Sequence, residues 1–190
     1  MNRGAFFAFL GLLASGAAHA HTGVHADGSF LAGIAHPFVG LDHLLAMIAV
    51  GIWSAQLGGR RMIALPGTFV VAMVAGAALG AAGFAMPLVE GAIALSIVAL
   101  GAVVALRANS AWTWSLPLIG AFGLVHGLSH GAEMPAIAAP ALYFAGFTLA
   151  TVLLHTTGLG AGLALRNHAA WLRAGGAAVG LAGLWFLAAI

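Results

Sequence analysis

Cysteine is absent from all 190 residues, which excludes disulfide frameworks, thiolate metal sites and iron–sulfur clusters. Any metal this chain holds must be held by nitrogen and oxygen. Charge is almost as scarce: 5% of residues are charged, against 63% that are hydrophobic, and the mean hydropathy is +1.09. A water-soluble domain of this size cannot build a wet surface from so few polar groups, so the composition is that of a membrane protein. The pI near 10.6 comes from six arginines set against four acids. They are spread along the chain rather than clustered, which gives no basic patch for nucleic acid. No glycine-rich phosphate loop with its lysine is present, so ATP coupling within this chain is not expected.

What is abundant is apolar sequence in blocks. Residues 1–20 read as a signal peptide: Arg3 precedes the apolar run from Ala5 to Ala17, and Ala18-His19-Ala20 has the small-x-small pattern of a signal peptidase site. Cleavage after Ala20 leaves one domain, 21–190, starting at His21; an uncleaved first helix is the competing reading. Six apolar stretches follow, roughly 31–56, 62–83, 86–106, 112–130, 136–165 and 169–189, each near the ~20 residues that cross ~30 Å of hydrocarbon. The expected fold is therefore all-α, a polytopic bundle of six transmembrane helices. Gly58-Gly59-Arg60-Arg61, Arg107-Ala-Asn-Ser110 and Arg166-Asn-His168 with Arg173 fall on alternate loops, which the positive-inside rule assigns to the cytoplasm. Both termini of the mature chain are then periplasmic, in a bacterial inner membrane.

Helices in lipid associate through small residues. Gly76 and Gly80, then Gly123, Gly127 and Gly131, then Gly176 and Gly180 repeat every four residues. They read as packing faces inside one bundle, with homo-oligomerisation as the alternative use. Four of the five tryptophans, Trp53, Trp112, Trp114 and Trp171, fall near predicted span ends and read as an interfacial belt. The scattered methionines read as core filling.

Ionisable groups in lipid are costly and persist mainly where they have a partner or a task. The first cluster is His36-Pro37-Phe-Val-Gly40-Leu-Asp42-His43, with Pro37 suited to the first turn of a helix. On a regular helix His36 and His43 are ~10 Å apart, too far to share an ion. Either they serve two sites or the backbone near Pro37 and Gly40 departs from helix. The second cluster is His126-Gly-Leu-Ser-His130-Gly-Ala-Glu133, where the i, i+4 histidines stack on one face and Glu133 follows three residues on. Imidazole with carboxylate and no thiolate suits nickel, cobalt, copper or zinc better than magnesium or calcium. Glu90 near the outer end of the third stretch, His155 deeper in the fifth, and His21 with His25 on the mature N-terminus complete a descending series by predicted depth. A lone His155 is equally well read as a hydrogen-bonded tie between helices.

These two motifs, with Ala46-Met47, Gly51 and the histidine at the mature start, resemble the HupE/UreJ family along the whole chain. The resemblance implies a hydrogenase or urease accessory membrane protein. It implies a secondary permease for Ni²⁺, with Co²⁺ or Zn²⁺ as related cargo, that supplies nickel-enzyme maturation proteins indirectly and carries no organic cofactor. It also implies that His36, Asp42, His43, His126, His130 and Glu133 handle the ion. Two other classes compete: an electron-transfer subunit with b-type haem held by histidines on different helices, and a membrane metalloenzyme built on His126, His130 and Glu133.

Overall fold

The computed structural model describes residues 29–109, 111–136 and 138–190. The expected signal peptide, 1–20, and the N-terminal His21 and His25 lie outside the described residues. Seven helices and no strand occur among those described: α1 Ser29–Val39, α2 Leu41–Leu57, α3 Arg61–Ala81, α4 Val89–Leu106, α5 Trp112–Ala132, α6 Pro140–Ala164 and α7 Ala169–Ala189. They follow the six apolar stretches closely, except that the first stretch is broken in two. Between α1 and α2 the axis turns by 80°. Pro37 sits in the last turn of α1, not in the first turn of a helix as its chemistry allows, because the helix already begins at Ser29.

Four helices, α3, α4, α6 and α7, are long and apolar enough to cross a membrane, and the bent α1–α2 pair makes a fifth candidate. α5 falls short on average hydropathy for an identifiable reason. Its polar residues Ser115, His126, Ser129 and His130 are buried inside the bundle, while Trp114, Leu118 and Leu124 face outward. The low average is the signature of an internal polar face.

Glycine sets the helix pairs. α3 and α5 run parallel in a four-residue register, so that a Cβ on Gly123, Gly127 or Gly131 would overlap the carbonyl of Phe69, Met73 or Ala77 in turn. Gly76 and Gly80 on α3 approach the Leu124 and Leu128 carbonyls in the same way. α4 and α7 run antiparallel through Gly101, Gly176 and Gly183. α6 receives both halves of the bent element, α1 through Gly33 and Gly146, and α2 through Gly51 and Gly158. The expected glycine faces are thus used within the chain, where close backbone approach replaces the hydrophobic driving force that lipid does not supply.

The arginine-bearing ends are tied together. Trp53 donates its indole N–H to the Ala108 carbonyl at 3.0 Å, and the Gln56 amide donates to the Val104 carbonyl at 3.1 Å. Arg61 reaches Asn109 at 3.3 Å and lies over the Trp112 ring at 5.5 Å. Trp53 is fully buried, so it is an internal strut rather than a member of an interfacial belt. Trp112, Trp114 and Trp171 are exposed as expected. At this end the α2–α3 turn passes through Gly58 and Gly59, at φ 67° and 57°, a left-handed stretch that glycine adopts without steric cost.

Candidate metal site

The break at Gly40 creates the site. α1 ends where the Gly40 N–H meets the His36 carbonyl at 3.3 Å, and α2 starts where Gly40 accepts from the Leu44 N–H at 3.0 Å. Gly40 is needed there because an added Cβ would lie 2.8 Å from Asp42 Oδ1 and 3.2 Å from His43 Nδ1. The bend folds α1 back until the His36 and His43 rings are 6.2 Å apart, centre to centre. The ~10 Å separation expected of a regular helix is removed, and the departure from helix at Gly40 is the alternative the molecule takes.

Asp42 orients His43. Its Oδ1 accepts from the His43 backbone N–H at 2.8 Å and lies 2.9 Å from His43 Nδ1. A carboxylate cannot donate, so Nδ1 carries the proton and the lone pair is on Nε2. His43 Nε2 is buried and has no hydrogen-bond partner. This is the carboxylate–histidine arrangement that fixes a metal-ligating imidazole in its tautomer and raises its basicity.

His126 is oriented by a residue the motif reading passed over. Ser96 on α4 donates its hydroxyl to the Ile93 carbonyl at 2.7 Å and lies 3.0 Å from His126 Nε2. With its one proton committed, Ser96 Oγ accepts from Nε2–H, which leaves the lone pair on His126 Nδ1, buried and unpartnered. The sequence signal was a serine at the centre of an otherwise apolar stretch, Ile93-Ala-Leu-Ser96-Ile97. Serine commonly bonds its own helix backbone, so it drew no attention.

His130 is stacked on Phe147 of α6, 4.9 Å between ring centres and 9° from parallel, and neither of its nitrogens has a partner. It touches His36 at 4.8 Å and His43 at 4.6 Å, and His43 in turn touches His126 at 4.9 Å. Beyond His126 come Phe69, 5.6 Å away, and then His155, 5.1 Å from Phe69. Five helices thus contribute to one continuous file of rings: His36, His130, His43, His126, Phe69, His155. His43, His126, His130 and His155 are buried and leave six imidazole nitrogens unpartnered. A buried polar atom left unbonded costs roughly 1–3 kcal/mol, so the file is held together against a substantial penalty.

Carboxylates gather at one end. Glu133, just past the end of α5, is bound by the Ser129 hydroxyl and meets His36 Nε2 at 3.2 Å. Burial alone would raise its pKa, but the hydrogen bonds from His36 and Ser129 outweigh that and hold it below its ordinary value. Glu90, in the first turn of α4, is exposed and lies within electrostatic reach of Glu133 and Asp42 without bonding either. The structure therefore unites His36, Asp42, His43, His126, His130 and Glu133, sets Glu90 beside them, and separates His155 behind Phe69. Among the described residues no three His, Asp or Glu side chains are arranged to hold one metal ion. The rings meet one another edge-on or tilted rather than gathering their nitrogens around one point. Ring centres 4.9 and 4.6 Å apart leave no gap between His43 and His126, or between His43 and His130, that a flat macrocycle could enter.

A helical bundle with at least four membrane-crossing candidates and an internal histidine–carboxylate cluster is the architecture of an integral membrane protein with a polar interior. The chain belongs to the HupE/UreJ family, whose model, described as HupE / UreJ protein, matches residues 8–186. It is 45% identical over 168 residues to Protein HupE of Rhizobium leguminosarum bv. viciae, covering 87% of each chain. No solved structure matches it.

Proposed function

We propose that this protein is a permease of the bacterial inner membrane that moves Ni²⁺, or Co²⁺, from periplasm to cytoplasm to supply nickel-enzyme assembly. The observation that carries this reading is the file of buried imidazoles whose nitrogens have no partner inside the protein. Nitrogens kept dry and unbonded at this cost are suited to replace the hydration shell of a borderline cation. Family membership agrees with the reading, and no step of it requires a nucleotide.

In this reading α5 is also a span, because its polar side chains face inward, so the bent α1–α2 element and α3 to α7 make six crossings. The arginine-rich end is cytoplasmic, and the carboxylates at the opposite end form the entrance. The ion loses water among Glu90, Glu133 and His36, where negative charge offsets the cost of bringing a dication into a low-dielectric site. It is then passed to His130, His43 and His126. The imidazoles must turn to present their lone pairs, which keeps binding weak enough for release. His21 and His25, on the mature N-terminus, would meet the ion before the entrance.

Radioactive nickel uptake into proteoliposomes tests the proposal. Wild type should accumulate Ni²⁺, and Asp42→Asn and His130→Ala should lose most of that uptake. Equal uptake in all three would place these residues off the path.

A further inference from the structure

Phe69 is the one ring in the file that has no lone pair to offer. It is fully buried and meets both His126, tilted at 53°, and His155, edge-on at 86°. Each of those neighbours presents nitrogen without a partner, Nδ1 on His126 and both nitrogens on His155. An apolar ring that only filled space would not require an orphaned imidazole on either side of it. Its backbone is fixed, because Gly123 on α5 packs onto the Phe69 carbonyl so closely that a Cβ could not be fitted. Only the side chain can move.

An open cavity of about 380 Å³ lies on the outward face of α3 and α6, lined by Met62, Ile63, Pro66, Val71, His155 and Leu159, with Ile63 and Val71 exposed. Pro66, three residues before Phe69, cannot donate to the Met62 carbonyl, so the helix on the cavity side lacks one of its hydrogen bonds. Rotation of the phenyl ring away from His126 and His155 would remove the apolar barrier between them.

We propose that Phe69 is the gate of the permeation path, an apolar plug that separates the outer histidine cluster from His155 and sets how fast and how selectively an ion passes. The inference rests on the transport reading above. A hydrated dication does not cross an apolar constriction, and such constrictions gate by excluding water. With the ring in place the outer cluster loads but does not discharge; with the ring displaced, the ion is handed to His155.

The test is initial Ni²⁺ uptake into proteoliposomes by wild type, Phe69→Ala, Phe69→Leu and Phe69→Trp, with Co²⁺ binding to each purified variant measured by its visible spectrum. Phe69→Ala should raise the initial rate at least threefold and Phe69→Leu less. Phe69→Trp should lower it below a tenth of wild type, and all should bind Co²⁺ at the outer cluster as wild type does. Phe69→Leu keeps apolar packing and carries the test if Phe69→Ala is not recovered folded. Wild-type transport with unchanged rates in the variants overturns the gate alone, as does a fall in rate for both Phe69→Ala and Phe69→Leu. Absence of uptake by wild type overturns the transport reading, and the gate with it.

Discussion

Asp42→Asn is the most informative substitution because it keeps the shape of the side chain and changes only its charge. The amide oxygen can still accept from both His43 donors, now at 2.8 and 2.9 Å from the carboxylate. What is lost is charge assistance. Hydrogen bonds to a charged group contribute about 1.5–3 kcal/mol against about 0.5–1.5 for neutral ones, so the bond to Nδ1 weakens by roughly 1–1.5 kcal/mol by those figures. If His43 gives Nε2 to the ion, that loss is transmitted through the ring as lower basicity. Metal affinity should then fall about tenfold, since a decade corresponds to about 1.4 kcal/mol. Calorimetric titration of the purified protein with Ni²⁺ reads this directly, with His43→Ala as the reference for complete loss of the ligand. Affinity within twofold of wild type for Asp42→Asn, alongside abolished binding for His43→Ala, would refute the idea that the carboxylate acts through the imidazole. A thousandfold loss would instead put Asp42 on the ion itself.

Two further predictions address the supporting structure. Ser96→Ala should leave His126 Nε2 without its partner and weaken Ni²⁺ binding about ten- to a hundredfold, as expected for loss of a residue that orients a ligand; restoration by Ser96→Thr in the same titration would assign the effect to the hydroxyl, and unchanged binding in Ser96→Ala would refute it. Gly127→Val should lower the midpoint of denaturation in detergent by forcing α3 from α5, an overpacking cost of about 1–3 kcal/mol. Gly160→Ala, where an added Cβ meets nothing within 4 Å, should be neutral or slightly stabilising, and equal effects at the two positions would show that close approach is not what the glycines provide.

The helices were legible because their signal is long and redundant: each apolar stretch survives an error of several residues at its ends. The glycine faces were legible for the same reason, since a repeat of four residues has one geometric meaning on a helix. The bend was not. His36 and His43 read as either two sites or one, because an 80° turn between two helical runs leaves no trace in hydropathy when the breaking residue is a glycine among apolar neighbours. Ser96 was missed because its function depends on which face of α4 meets α5, a tertiary fact. Phe69 was missed for a similar reason, being one of 11 phenylalanines in the chain and distinguished only by the imidazoles on either side. Trp53 shows the converse error, where position near a span end suggested lipid contact and the indole N–H found a carbonyl inside.

The order of groups along the file bears on direction. The carboxylates Glu90, Glu133 and Asp42 all lie toward the His36 end of the file, and past His126 the remaining ionisable side chain in it is His155. A dication is held best where negative charge surrounds it and less well by neutral imidazole alone, so affinity should fall from the entrance inward. Under the transport reading this slope would trap ions from dilute solution at the mouth and release them toward the cytoplasm. It would also oppose transfer past His126 unless something raised the energy of the loaded outer cluster. Protons are suited to that task, because imidazole and carboxylate ligands exchange a proton for a metal ion. Protonation of the cluster from the periplasmic side would expel the ion toward His155, behind Phe69. An inward proton gradient should therefore accelerate Ni²⁺ entry into proteoliposomes. Entry that is indifferent to the gradient would leave the slope in affinity unopposed and make the path a passive one.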